Sequence, residues 1–120
     1  MFARLMGLNV ISPAALQQRI QQNEPTTVID VNSRQSWLTA RVPGALTLDP
    51  LAYDEKDLPA DKNSTLVFYC SGLFCRKAPN AARRAEGMGY RNVFVMSAGI
   101  SGWLAARLPT ASGDPAPTPR

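Results

Sequence analysis

The sequence predicts an α/β fold in which helices cover a mostly parallel sheet. Short runs rich in apolar and β-branched residues alternate with stretches of helical character, which is the order expected of βαβ units. The strand-like runs are almost continuously apolar, as in parallel strands that are buried on both faces. The chain has 120 residues, of which 45% are hydrophobic and 18% are charged, enough for one domain with its own core.

Signals in the first third of the chain support this order of elements. Asn9-Val10-Ile11 fits a short edge strand, and Ser12-Pro13 is typical of the N-cap and first residue of a helix. Thr26 to Val31 is rich in β-branched residues and predicts a strand. Ser33 is expected to cap a short helix that contains Trp37.

The middle of the chain is expected to hold two further strands, separated by a loop. Pro43-Gly44 is a turn signal before a short strand from Ala45 to Leu48. Residues 49–63 are polar and acidic, and predict a loop with one helical turn. Thr65 to Tyr69 is the most hydrophobic of the predicted strands.

A helix is predicted over residues 77–88, directly after the loop that follows this strand. Pro79 places its start, because proline lacks the amide hydrogen and is tolerated only in the first turn of a helix. Gly89 is a signal for the end of the helix, and Val93 to Met96 is expected as the next strand.

The end of the chain is predicted to contain one more helix and then no regular structure. Gly99 and Gly102 indicate a turn, and residues 103–108 are expected as a last short helix. Pro109 to Arg120 contains four prolines and no apolar periodicity, which is typical of a disordered tail. We therefore expect one domain over residues 1–108 and a disordered tail over residues 109–120.

Cys70 lies where the most hydrophobic strand ends and the loop 71–76 begins. A loop that opens a helix offers backbone N–H groups and the positive end of the helix dipole to an anion. A thiolate held there is a competent nucleophile. The chain contains no histidine, so backbone dipoles and nearby cations must activate Cys70. The alternative is a buried strand cysteine without a chemical role.

Charge and composition exclude several other classes of function. The net charge is +4, and the basic residues concentrated between residues 76 and 91 are not interleaved with aromatic residues, so we expect no nucleic-acid partner. Two cysteines without histidine exclude a Cys/His zinc site, and we expect no metal and no cofactor. The first apolar run is too short for a secretory signal and no stretch is long enough to span a membrane. The sequence therefore predicts a cytoplasmic protein without a membrane partner.

Five segments, in order along the chain, match the motifs of one family. They are Val28-Ile29-Asp30-Val31, Arg41-Val42-Pro43-Gly44-Ala45 after Trp37, Tyr69-Cys70, Gly89-Tyr90 with Val93 to Val95, and Gly99-Ile100-Ser101-Gly102-Trp103. Together they resemble the single-domain rhodaneses, the thiosulfate sulfurtransferase family. The resemblance implies a rhodanese-like α/β fold, with a central, mostly parallel sheet of about five strands and helices on both faces.

Three features depart from the commonest pattern of that family. Asn32 stands where many members have arginine, and Arg41 stands where histidine is usual. The interval from Cys70 to the helix is longer than in the commonest rhodanese loop. Residues 75–81, Cys-Arg-Lys-Ala-Pro-Asn-Ala, are similar to a sub-group with a second cysteine in the loop. A longer loop makes a wider cradle, which leaves open whether it prefers sulfur or phosphate and arsenate oxyanions.

The resemblance implies sulfur transfer through Cys70. A small anionic donor such as thiosulfate gives its outer sulfur to Cys70, and the persulfide passes it to a thiol, which can belong to a protein, or to a cyanide-type acceptor. The residues expected to bind the anion are Ser71, Gly72, Leu73, Phe74, Cys75 and Arg76. Gly72 is expected to turn N–H groups inward, and the planar guanidinium of Arg76 to pair with the donor oxygens.

Other residues near this loop have less specific roles. Cys75 either acts as a resolving thiol, which attacks the Cys70 persulfide and releases sulfide, or only packs in the loop. Asp30 is expected to order neighbouring loops, and Trp37 and Trp103 to anchor the core. The apolar tip formed by Leu73-Phe74 is a candidate rim for a substrate or protein partner.

Two competing functions remain open from the sequence. Cys70 and Arg76 have the Cys-x5-Arg spacing of protein tyrosine phosphatases and some arsenate reductases, although Tyr69 replaces the histidine that usually precedes the cysteine. The other alternative is a non-catalytic module that carries sulfur or binds a protein.

Overall fold

Five short parallel strands form the centre of the molecule, in a computed structural model that describes residues 2–115. The strands are β1 (Asn9–Val10), β2 (Thr27–Asp30), β3 (Leu46–Thr47), β4 (Thr65–Tyr69) and β5 (Asn92–Val95). They pair in the order β1–β5–β4–β2–β3. β4 is therefore the central strand, and β1 is at one edge, as predicted.

Within the described residues, five helices and one 3-10 turn precede, connect or follow the strands. They are α1 (Phe2–Leu5), α2 (Pro13–Gln21), α3 (Arg34–Thr39), the 3-10 turn Glu55–Asp57, α4 (Lys77–Gly87) and α5 (Gly99–Ala105). The Ser12 hydroxyl accepts a hydrogen bond from the amide of Ala15 at 3.1 Å, which confirms the predicted N-cap of α2. Ser33 caps α3 in the same way. Within residues 2–115, no helix is both long and apolar enough to cross a membrane.

The sheet separates two hydrophobic clusters, one on each face. Alternate residues of a strand point to opposite faces, so Leu66 and Phe68 pack with α1 and α4, whereas Val67 and Tyr69 pack with α2 and α5. The predicted α/β fold with helices on both faces is therefore confirmed. Cys70 continues the series of Leu66 and Phe68, and its side chain lies on the α4 face.

The two ends of the chain differ from the sequence prediction. Residues 2–5 form a helix that buries Ala3, although nothing in the sequence indicated one. The last helix begins at Gly99 rather than at residue 103, so the predicted turn was wrong. Glycine usually disfavours a helix, but Gly99 is required here by a close contact that is described below.

The segment after α5 is ordered as far as Pro115, in contrast to the predicted disordered tail. The indole nitrogen of Trp103 donates to the carbonyl of Pro109 at 2.8 Å, and Arg41 and Ala111 exchange two backbone hydrogen bonds at 3.0 Å. The amide of Gly113 donates to the carbonyl of Leu38 at 2.8 Å. These contacts attach residues 109–113 to Trp103 of α5, to Leu38 of α3 and to Arg41 just after α3. The remainder of the predicted tail, 116–120, lies outside the described residues.

Candidate functional site

The loop that follows β4 lies at the carboxyl edge of the sheet, where ligands bind in open α/β folds. Cys70 follows β4 directly, and α4 begins at Lys77. We call the six residues between them, 71–76, the cysteine loop. Local sequence fixes where the loop begins and ends. The apolar run of β4 enters the core, and Pro79 forces α4 to start just before it.

The two cysteines of the chain meet in this loop and form a disulfide. A tight turn brings them together, since the amide of Cys75 donates to the carbonyl of Gly72 at 3.2 Å. Cys70 is 2% exposed, whereas Cys75 is only partly buried. The sequence left the role of Cys75 open. In the structure its sulfur is bonded to the sulfur of Cys70.

Carbonyl groups at the start of the loop are bound by α5. The amide of Ile100 donates to the carbonyl of Cys70, and the amide of Ser101 donates to the carbonyl of Ser71, both at 3.0 Å. These two bonds hold the loop against the first turn of α5.

The amide groups of the loop, in contrast, are mostly free to bind an anion. Within residues 2–115, no protein acceptor takes a hydrogen bond from the amides of Ser71, Gly72, Leu73, Phe74 or Arg76. The N-terminus of α4 also has no side-chain cap. Free N–H groups and the positive end of a helix dipole therefore meet next to Cys70.

Arg76 does not line the cleft in front of this loop. Its guanidinium carbon lies 4.4 Å from the centre of the Phe2 ring, so the side chain stacks on α1. Lys77, the next residue, lines the cleft instead. The sequence indicated that the planar guanidinium of Arg76 pairs with the donor oxygens. The direction of this side chain depends on the neighbouring α1, which had not been predicted.

An open cleft of about 630 Å³ lies outside the loop, and we call it the outer cleft. Six of its ten lining residues have polar side chains, and Lys77 is its one charged residue in the described part of the chain; the full set is Asn32, Ser33, Ser36, Ser71, Gly72, Leu73, Phe74, Cys75, Lys77 and Ser101. Leu73 and Phe74 are 53% and 74% exposed and form an apolar rim. The cleft thus combines one cation with hydroxyl groups, which suits a small anion.

A second, much smaller space lies beneath the two cysteines, and we call it the inner cavity. Its volume is about 10 Å³, the size of one small molecule such as water. Cys70, Cys75, Ala78 and Ser97 are among its lining residues. The Ser97 hydroxyl is buried and has no hydrogen-bond partner within residues 2–115. Sequence reasoning did not single out Ser97.

Gly99, rather than Gly72, is the glycine that this loop requires. Gly72 does not have a positive φ, and a Cβ there would meet only ordinary contacts with Ser101. Gly99 has φ +63°, and a Cβ on it would lie 2.6 Å from the Gly72 amide nitrogen and 2.7 Å from the Cys70 carbonyl oxygen. The expected backbone role of Gly72 was therefore wrong, and Gly99 permits the close approach of α5.

Asp30 supports the backbone around the site. The Asp30 carboxylate is fully buried and accepts a hydrogen bond from the Asn32 amide at 2.8 Å. Burial raises the pKa of Asp30, against the opposing effects of Tyr69, Asn32 and Arg41. The Tyr69 hydroxyl accepts from the amide of Val42 at 3.1 Å. Asp30 thus orders the chain after β2.

Trp37 and Trp103 are buried core residues, as predicted. The indole nitrogen of Trp37 donates to the carbonyl of Ala45 at 2.9 Å. Arg41 stacks on the same ring, with its guanidinium carbon 3.9 Å from the ring centre, and donates to the carbonyl of Trp37. Arg41 is consequently a structural cation and does not line the outer cleft.

Comparisons with known proteins agree with this architecture. The chain is 32% identical over 109 residues to the HTH-type transcriptional regulator Rv0324 of Mycobacterium tuberculosis, covering 89% of this chain and 46% of the regulator. It is 28% identical over 105 residues to the thiosulfate sulfurtransferase GlpE of Haemophilus influenzae, covering 87% of this chain and 95% of GlpE. The chain thus spans less than half of the first relative and nearly all of the second.

Solved structures share the fold. The BH2092 protein of Bacillus halodurans superimposes with a TM-score of 0.80 at 22% identity, covering 92% of this chain and 83% of that protein. The family model described as "Rhodanese-like domain" matches residues 12–106. This span includes the strand before Cys70, the cysteine loop and α5, so the chain belongs to the rhodanese-like domain family.

Proposed function

We propose that this chain is a sulfurtransferase that moves a sulfane sulfur from a thiosulfate-like anion to a thiol or a cyanide-type acceptor, through a persulfide on Cys70. The observation that supports it best is the set of free amides around Cys70, at the carboxyl end of the central strand. Hydrogen bonds to a charged group contribute roughly 1.5–3 kcal/mol each, so several of them favour an anionic sulfur. The first partner is a small anionic sulfur donor, and the second is a thiol acceptor. We expect the reaction to take place in the cytoplasm.

The reaction divides into two displacements at the Cys70 sulfur. In the reduced chain, the Cys70 thiolate attacks the outer sulfur of thiosulfate, the sulfur–sulfur bond of the donor breaks, and sulfite leaves with the electron pair. The acceptor thiolate then attacks the outer sulfur of the persulfide, and Cys70 leaves as a thiolate. Loop amides hold negative charge in both steps, and the Lys77 ammonium attracts the donor to the outer cleft. The donor reaches the buried Cys70 from there once reduction has released Cys75, which lines both the cleft and the inner cavity.

Reduction comes before this chemistry, because a Cys70 engaged in a disulfide has no free thiolate. A reductant that breaks the Cys70–Cys75 bond is therefore needed once before the first turnover. A single nucleophile that is loaded and unloaded in turn also predicts ping-pong kinetics.

Intact mass spectrometry after reduction and removal of the reductant tests the proposal. After brief incubation with thiosulfate, Cys75→Ser should gain one sulfur atom, and the adduct should transfer to cyanide as thiocyanate. Cys70→Ser, the matched control, should gain none. A Cys75→Ser chain with a titratable thiol that acquires no sulfur would overturn the proposal.

A phosphatase reaction would require a different arrangement of the same loop. Hydrolysis of a phosphate ester by Cys-x5-Arg chemistry needs the arginine to bind the oxyanion. The stacking of Arg76 on Phe2 favours sulfur transfer over that reaction. Assays with an aryl phosphate and with arsenate belong in the same experiment, and turnover of either by the reduced chain, without persulfide formation, would favour the alternative.

A further inference from the structure

The outer cleft and the inner cavity give the two cysteines different access to a partner. Cys75 lines both spaces, whereas Cys70 lines only the inner cavity. A molecule that enters the outer cleft therefore meets Cys75 before Cys70. The two sulfur atoms are already bonded to each other, so no rearrangement of the chain is needed for one to attack the other.

We infer that Cys75 is a resolving nucleophile that turns the Cys70 persulfide into hydrosulfide, and that a protein dithiol resets the pair through Cys75. This inference rests on the proposed persulfide. It adds a second outcome to sulfur transfer, in which the sulfane sulfur is reduced instead of being passed to an acceptor.

The releasing step balances within the chain. The Cys75 thiolate attacks the inner sulfur of the protonated persulfide, the bond between the inner and outer sulfur atoms breaks, and hydrosulfide leaves with the electron pair. The outer sulfur gains two electrons, and the two cysteines lose them by forming the Cys70–Cys75 disulfide. The product of the step is the state that the structure contains.

The resetting step uses the difference in access. A thiolate of the dithiol attacks the Cys75 sulfur from the outer cleft, and Cys70 leaves as a thiolate beside the free loop amides. The second thiol of the partner then displaces Cys75 and closes the partner's disulfide. In the complete cycle, thiosulfate and a dithiol give sulfite, hydrogen sulfide and a disulfide. The exposed pair Leu73-Phe74 and Lys77 line the same cleft as Cys75.

A single-turnover experiment separates this inference from the proposed function. Reduced native chain and reduced Cys75→Ser, both freed of reductant, receive thiosulfate, and hydrosulfide, free thiols and intact mass are followed. The native chain should release about one hydrosulfide per chain, lose both thiols and end as the disulfide. Cys75→Ser should keep its persulfide, release hydrosulfide only at background level, and deliver the sulfur to cyanide.

Different results would overturn the proposed function and the resolving role of Cys75. If neither chain gains sulfur nor releases hydrosulfide, the proposed function is wrong. If both chains load sulfur and the native chain also retains the persulfide and its second thiol, only the resolving role of Cys75 is wrong. Cys75→Ala repeats the result of Cys75→Ser if the missing group is the thiol, and a difference between the two would indicate packing instead.

Glutathione tests which cysteine is attacked when the disulfide is reduced. Because glutathione has only one thiol, its reaction stops at the mixed disulfide. The oxidised native chain is treated with glutathione, quenched with acid and mapped by peptide mass spectrometry. Glutathione should be found on Cys75, with Cys70 free. A mixed disulfide found mainly on Cys70 would overturn the proposed direction of attack.

Discussion

Lys77 and Arg76 are adjacent cations with different surroundings. The Arg76 guanidinium stacks on Phe2, while Lys77 lines the outer cleft in front of the loop amides. Both side chains are exposed, so their charges act through a screened, solvated medium. At the scale of single residues, the environment rather than the spacing from Cys70 decides which cation meets an anionic donor.

Replacement of Lys77 should weaken the encounter with thiosulfate and leave the chemistry unchanged. For Lys77→Gln we expect KM for thiosulfate to rise about 1.4- to fivefold, since an exposed ion pair contributes about 0.2–1 kcal/mol, with kcat nearly constant. Arg76→Gln is the matched control and should change KM little. Steady-state kinetics at low and high salt provide the measurement, and a larger effect for Arg76→Gln would contradict this assignment.

The contact between α5 and the cysteine loop is the main determinant at the scale of secondary-structure elements. The loop carbonyls bind the first amides of α5, and Gly99 leaves room for the backbone of the loop. A helix that begins in this way holds the loop from one side, while α4 holds it from the other. The shape of the amide cradle therefore depends on two elements that are distant in sequence.

Gly99→Ala should show how much that contact contributes. A left-handed alanine costs about 1–2 kcal/mol by itself, and the new Cβ would also collide with the loop backbone. Gly44→Ala is the matched control, because Gly44 has φ +82° with nothing within 4 Å of an added Cβ. Urea unfolding should give a larger loss for Gly99→Ala than for Gly44→Ala, together with slower loading of sulfur on Cys70. Equal losses and equal loading would contradict the role of Gly99.

The elements also show where sequence reasoning succeeds and where it stops. The boundary between β4 and α4 was predictable, because the apolar run and Pro79 act locally. α5 was placed too late, because the cost of glycine in a helix is outweighed by a contact with a loop almost thirty residues away. The order in residues 109–113 comes largely from backbone hydrogen bonds to Leu38 and Arg41, and backbone groups leave no pattern in a sequence.

The stability of the whole molecule should depend on pH through Asp30. Burial raises the pKa of Asp30 in the folded chain above its ordinary value of 3.8, so the folded chain holds this proton more tightly than the unfolded chain. The stabilising contribution is then complete below pH 3.8 and is lost as pH rises through the folded-state pKa.

Asp30→Asn removes this contribution and keeps an oxygen that can accept the bond from Asn32. The free energy of unfolding of Asp30→Asn, relative to the native chain, should therefore increase between about pH 4 and about pH 7. Urea unfolding at each pH measures the difference. Asp61→Asn, at an exposed position, serves as the control for the removal of one carboxylate. A difference for Asp30→Asn that falls with rising pH would contradict the raised pKa.

For the molecule as a whole, the amino-acid sequence determined the alternation of strands and helices, the two-sided core and the position of Cys70 at the end of the most hydrophobic strand. These follow from apolar periodicity, caps and prolines, which act over a few residues. The tertiary structure decided that Cys75 reaches Cys70, that Lys77 rather than Arg76 lines the outer cleft, and that Gly99 makes room for the loop. Each of these depends on how α1, α5 or a turn packs in three dimensions. The spacing of residues along the chain does not encode the distances between such packed elements.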